Sequence, residues 1–161
     1  MSGAGDVNGD GLADLILGSY LNDADATDGG RAWVVFGTTE SAAVELSGLS
    51  TTGAGFAIQH GSASNSDYFG FSVAGGGDVN GDGLADALVG APRIDVGTAA
   101  DSGAVYVILG RTGSATIDAD SANNRWLIEG YSSYQIGRDG LSYVGDVNGD
   151  GYQDFAIGNP F

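Results

Sequence analysis

The chain has 161 residues, about one ordinary domain, and its apolar fraction of 42% separates it from glycine-rich disordered sequences although 30 residues are glycine. Eighteen aspartates and three glutamates stand against five arginines and no lysine, and a net charge of −16 excludes nucleic acid and anionic membrane surfaces while favouring cations. Without cysteine there are no disulfides and no thiolate metal sites, and neither a signal-like N-terminus nor an apolar run approaching the roughly 20 residues of a membrane span is visible.

Aspartate competes with the helix backbone and prefers turns, so an aspartate-rich, glutamate-poor chain predicts loops that present short carboxylates. The first such loop opens DVNGDGLADLILG at 6–18. It recurs as DVNGDGLADALVG at 78–90 and DVNGDGYQDFAIG at 146–158, at periods of 72 and 68 residues. Each copy runs into a short apolar segment of strand length, Leu15–Leu17, Ala87–Val89 and Phe155–Ile157. GGRAWVVFG at 29–37 corresponds to SGAVYVILG at 102–110, and GFAIQHG at 55–61 more loosely to RWLIEG at 125–130; FGFSVA at 69–74 predicts a strand ahead of the second loop.

One period therefore predicts four strands, at 69–74, 86–91, 104–109 and 126–130, with no sustained helical period anywhere. Four strands per repeat imply an all-β fold of antiparallel β-propeller blades. Three strands of a partial blade are expected in 1–61, a complete blade in 62–130 and two strands of another in 131–161. About two and a half blades make an incomplete propeller, to be completed by further blades of the same chain or by other protomers.

Positions 1, 3, 5 and 9 of each loop carry side-chain oxygens: Asp6, Asn8, Asp10 and Asp14; Asp78, Asn80, Asp82 and Asp86; Asp146, Asn148, Asp150 and Asp154. By analogy with an EF-hand loop, the position-7 carbonyls of Leu12, Leu84 and Tyr152 add a ligand. Such a set suits Ca²⁺, which takes six to eight oxygens at about 2.3–2.6 Å, better than Mg²⁺, which usually keeps several waters. The competing expectation is an Asx-type turn that holds no metal. EF-hands and dockerins need an acid at position 12 followed by a helix, whereas Leu17, Val89 and Ile157 stand there inside apolar strands.

FGFSV at 69–73, GDVNGDGLAD at 77–86, VGAP at 89–92 and GAVYVILG at 103–110 resemble the FG-GAP repeats of integrin α-subunit propellers and their bacterial relatives. The outer copies depart from the pattern, with GSY at 18–20 and GNP at 158–160 for GAP, and with Ile136-Gly137 for FG ahead of GLSYV at 140–144. The resemblance implies up to three structural calcium ions in the hairpins between the first two strands of each blade. It places ligand recognition on the opposite face, in loops 20–30, 62–67, 93–102 and 131–134.

The function so implied is an extracellular, cell-surface or secreted adhesion and ligand-recognition module with a protein or glycan partner. Tyr131 and Tyr134 are available to stack on a sugar or a partner, which leaves a lectin-like propeller as the alternative, beside an accessory domain of a secreted hydrolase. The acidic segment NDADATD at 22–28 is expected to be solvated surface. Nothing points to catalysis: the single histidine, His60, lies in an apolar strand and is expected to be structural, and no nucleophile or metalloprotease motif is present.

Overall fold

A computed structural model describes residues 1–24, 26–61, 66–121, 125–131 and 133–159 of the chain. Parts of four expected segments, 22–28, 62–67, 131–134 and 158–160, fall outside the described residues.

In chain order the strands are β1 (Ser2–Gly5), β2 (Asp14–Ser19), β3 (Arg31–Val35), β4 (Gly55–Gln59), β5 (Ser72–Gly77), β6 (Asp86–Ala91), β7 (Ala104–Ile108), β8 (Ile117–Asp118), β9 (Arg125–Glu129), β10 (Leu141–Gly145) and β11 (Asp154–Ile157). They form three sheets, β1-β2-β3-β4-β8, β5-β6-β7-β9 and β10-β11, antiparallel throughout except for the β4–β8 pair. The sheets are successive propeller blades, and the propeller is not closed. No helix among the described residues is long and apolar enough to cross a membrane.

Besides the two-residue β8, which was not expected, three features depart from the expected elements. The first blade has a strand ahead of its aspartate loop, β1, where three strands rather than four were expected; SGAG carries no apolar pattern, and only Ala4 is buried. The first strand of the middle blade runs over 72–77 rather than 69–74. Phe69 instead enters the preceding blade, donating its N–H to Gly29 at 2.9 Å, and is fully buried. Between β3 and β4 lie a 3-10 turn at Leu46–Gly48 and one α-helical turn, α1, at Leu49–Thr52, anchored by the buried Leu49.

The core lies between blades. β6 is buried along its whole length, and its alternating side chains serve two clusters. Ala87, Val89 and Ala91 face the first blade with Ile16, Val34, Phe56 and Phe69. Leu88, with Val105 and Val107, faces the third, against Tyr143 and Phe155. Strand pleating sends successive side chains to opposite faces, so a strand flanked by two blades reads as a continuous apolar run.

Glycine sets the blade spacing. A Cβ on Gly90 would collide with the Gly137 carbonyl, and one on Gly18 with the Gly70 carbonyl. The glycine of each Gly-Ala-Pro-like segment thus faces that of the next Phe-Gly-like segment. The inner strands are aligned further by Ala85 N–H donating to the Asp6 carbonyl and Gln153 N–H to the Asp78 carbonyl, each at 2.9 Å.

Candidate metal centre

Each aspartate loop joins the first two strands of its blade just after a register shift, between Gly3 and Gly5, Gly75 and Gly77, or Tyr143 and Gly145. In the first loop Gly9 and Gly11 sit at φ +78° and +85°. This left-handed backbone, which favours glycine, curls the loop so that its N–H groups point inward.

Nearly the same hydrogen bonds recur in all three loops, the position-5 N–H reaching the position-1 carboxylate only in the first and third. Asp6 Oδ1 accepts from Gly9 N–H at 2.7 Å and Asp10 N–H at 3.1 Å, while Oδ2 accepts from Gly11 N–H at 2.8 Å. Asp78 accepts from Gly81 and Gly83 at 2.7 and 2.9 Å, and Asp146 from Gly149, Asp150 and Gly151 at 2.7, 3.1 and 2.8 Å. At position 3, Asn8 Oδ1 accepts from Asp10 N–H at 2.9 Å; Asn80 and Asn148 do the same with Asp82 and Asp150. At position 5, Asp10, Asp82 and Asp150 accept from the position-7 N–H groups of Leu12, Leu84 and Tyr152 at 2.8, 2.9 and 3.0 Å.

Position 9 behaves differently. Asp14 is buried and bridges two segments, with Oδ2 accepting from Val7 N–H at 2.8 Å and Oδ1 from Gly37 N–H at 2.7 Å, just beyond β3. Asp86 repeats this with Val79 at 2.8 Å and Gly110 at 2.7 Å, and Asp154 with Val147 at 2.9 Å. Asp14 and Asp86 thus tie the loop to the third strand of its own blade, whereas Asp154 bonds within its loop. Sequence spacing does not reveal the partner glycines. The one available signal is that VVFG and VILG both end in glycine 23 or 24 residues after the aspartate.

Burial pushes the Asp86 carboxyl up to about 6, opposed by the Val79 and Gly110 N–H groups and reinforced by Asp82 and Asp78. Asp14 is raised for the same reasons. The exposed Asp146 carboxyl is held below its usual value, first by the Gly151 N–H.

Among the described residues, no group of three or more acidic or histidine side chains converges closely enough to hold a metal ion. The loops take the Asx-turn form, with carboxylates directed at backbone N–H groups. Their chemistry nonetheless fits a hard cation. Each loop offers three carboxylates, one amide oxygen and a neighbouring carbonyl; Asp6 Oδ1 and Asp146 Oδ1 already accept two N–H groups each, while the carboxylate oxygens that accept one, such as Asp6 Oδ2 and Asp10 Oδ1, keep a second lone pair. No arginine forms an ion pair with a loop carboxylate among the described residues.

The FG-GAP repeat pattern matches residues 2–35, 69–108 and 142–161, more than half of the chain and all three aspartate loops. The chain belongs to the FG-GAP repeat family. It is 45% identical to integrin alpha-PS2 of Drosophila melanogaster over 59% of its length and 35% identical to integrin alpha-4 of Xenopus laevis over 96%. It is also 39% identical to integrin alpha-3 of Mus musculus over 58%. The matches span only 7%, 14% and 8% of those relatives.

The strand directions of these FG-GAP blades place Tyr20, loop 93–102 and Tyr131 at the end opposite the aspartate loops. The Tyr131 and Tyr134 rings are 6.3 Å apart, and Tyr131 is three-quarters exposed. Nearby, Tyr68, Phe71, Pro92, Arg93, Gln135 and Arg138 line a groove, with the Arg93 guanidinium 5.1 Å from the centre of the Tyr68 ring. His60 is buried as a packing residue. Its Nε2 is 2.9 Å from Asp120, its Nδ1 3.6 Å from Asp67, and its ring lies against Phe69 and Tyr106.

Proposed function

We propose that this chain is a calcium-stabilised propeller segment of an extracellular adhesion or ligand-recognition protein. The observation that carries this reading is the threefold repetition of one oxygen-only loop with one hydrogen-bond pattern, in a chain whose relatives are integrin α-subunits.

In each loop positions 1, 3 and 5 and the position-7 carbonyl supply the ligands: Asp6, Asn8, Asp10 and Leu12; Asp78, Asn80, Asp82 and Leu84; Asp146, Asn148, Asp150 and Tyr152. Asp14, Asp86 and Asp154 present their remaining lone pairs from the base of the loop. The ion supplies the positive charge that draws the carboxylates together. Within the chain, the N–H groups of Gly9, Gly11 and their counterparts preorient the position-1 carboxylate, and the position-9 aspartate fixes the loop to its sheet.

Recognition belongs to the opposite face, which carries exposed tyrosines and the groove around Tyr68 and Arg93 and is served by longer, more varied loops. Binding, not catalysis, is the activity of this segment. Surface immobilisation of the chain in calcium, probed with protein ligands and with a glycan array, tests this reading. Protein binding that is lost on Tyr131→Ala or Arg93→Ala supports it. Glycan binding alone would shift the reading to a lectin-like propeller, which the Tyr131–Tyr134 pair also favours.

A further inference from the structure

Tyr143 stands where the two preceding blades carry glycine. It pairs with Phe155 as Gly75 pairs with Ala87 and Gly3 with Leu15. Its ring packs on the middle blade in the cluster of Leu88, Val105 and Val79, and Val79 is position 2 of the second aspartate loop. A Cβ on Gly77 would collide with that ring. Gly77 precedes Asp78 and pairs with Asp86, so the third blade sets a phenol beside positions 1 and 9 of the second loop. The first loop has no such neighbour: the atoms nearest a Cβ on Gly5, the counterpart of Gly77, belong to Ala85 and Gly76. The third blade also holds the second loop through Gln153 N–H, which donates to the Asp78 carbonyl at 2.9 Å, and through the Tyr152 ring, which lies against Gly81.

The Tyr143 hydroxyl is buried and has no hydrogen-bond partner among the described residues. A buried hydroxyl is costly unless it donates. Burial pushes its pKa up, and the Asp86 and Asp78 charges push it further, so it stays protonated and available to a carboxylate. Each oxygen of Asp78 and Asp86 accepts one N–H and keeps a second lone pair.

We infer that Tyr143 is a positioning residue of the second metal site, its hydroxyl donating to the Asp78–Asp86 carboxylate pair as that pair holds the cation, so that the second site, unlike the first, is completed by the following blade. The inference rests on the reading that the aspartate loops bind Ca²⁺. Hydrogen bonds from outside the ligand set orient metal ligands, and losing one weakens metal affinity by about tenfold or more.

Isothermal titration of calcium into the full chain carrying Asp10→Ala and Asp150→Ala reads the second site alone. Adding Tyr143→Phe keeps the ring and removes the hydroxyl, and a roughly tenfold rise in Kd is expected. The same substitution beside Asp82→Ala and Asp150→Ala, which retain the first site, should leave Kd unchanged. In EDTA, Tyr143→Phe should hold or raise the urea midpoint, since the hydroxyl it removes has no partner there; a packing role would lower the midpoint with or without metal. Unchanged affinity at the second site, equal weakening at the first, or a fall in EDTA equal to that in calcium would overturn the inference and leave the calcium reading standing. No calcium uptake by the chain that retains the second loop would overturn both.

Discussion

The carboxylate of Asp86 accepts the backbone N–H of Gly110 at 2.7 Å across 24 residues, with its other oxygen on Val79 N–H inside the loop. One side chain thus holds both the aspartate loop and the third strand of the blade, and Asp14 does the same with Gly37 and Val7.

Asp86→Ala removes two hydrogen bonds to a charged acceptor and strands two N–H groups. A loss of about 2–4 kcal/mol is expected, and a similar loss for Asp14→Ala. Asp154 makes one such bond at a more exposed position, so Asp154→Ala should cost about 1 kcal/mol. Urea denaturation in EDTA measures all three without metal; equal, negligible losses would show that the position-9 residue does not act as a tie.

The tight approach of consecutive blades gives a glycine contrast. A Cβ on Gly90 would meet the Gly137 carbonyl and the Ser72 hydroxyl, whereas one on Gly3 would have nothing within 4 Å. Gly90→Ala should cost about 1–3 kcal/mol through overpacking and Gly3→Ala almost nothing. Thermal unfolding of the pair checks the blade spacing directly.

In EDTA, Asp86 titrates without a bound ion. Burial holds its native carboxyl at about 6, above the roughly 3.9 of an unfolded aspartate, so the native state keeps an extra proton between those values. Stability therefore falls as pH rises from about 4 to about 6. Asp86→Asn does not titrate, so the stability of the parent chain relative to this variant should decline across that window. A rise would contradict the burial that sets the shift.

Calcium that binds the folded loops and not the unfolded chain stabilises by mass action, by about 2.7 kcal/mol per site at a hundredfold excess over Kd. With extracellular-type affinities near ~10⁻⁴–10⁻³ M, millimolar calcium should raise Tm by several degrees over EDTA, and magnesium much less. Equal melting in the two media would argue that the loops are plain Asx turns.

Most strands were legible because their side chains announce them. AWVVF and AVYVIL are β-branched and aromatic runs bounded by glycine, and Leu15–Leu17, Ala87–Val89 and Phe155–Ile157 follow an unmistakable loop. β1 and the true span of β5 were not, because SGAG and VAGGG act through the absence of side chains, letting inner strands approach until Gly75 lies against Ala4. β8 escaped because two residues pairing in parallel with another blade leave no period to detect.

At the loops, spacing singled out the twelve oxygen-bearing side chains. It could not separate the self-contained turn of positions 1, 3 and 5 from the tie at position 9, whose partners Gly37 and Gly110 are brought in by sheet pairing. Residues 111–118 were illegible for a related reason. Arg111 and Ile117 look like linker residues until the fold sets them on Phe56 and Ile58.

Calcium stoichiometry is the most direct measurement. Isothermal titration of the metal-free chain should give three sites, with Asp10→Ala, Asp82→Ala and Asp150→Ala each removing one and leaving the other two. No saturable calcium uptake, or uptake unchanged by all three substitutions, would show that the aspartate loops are not the metal sites.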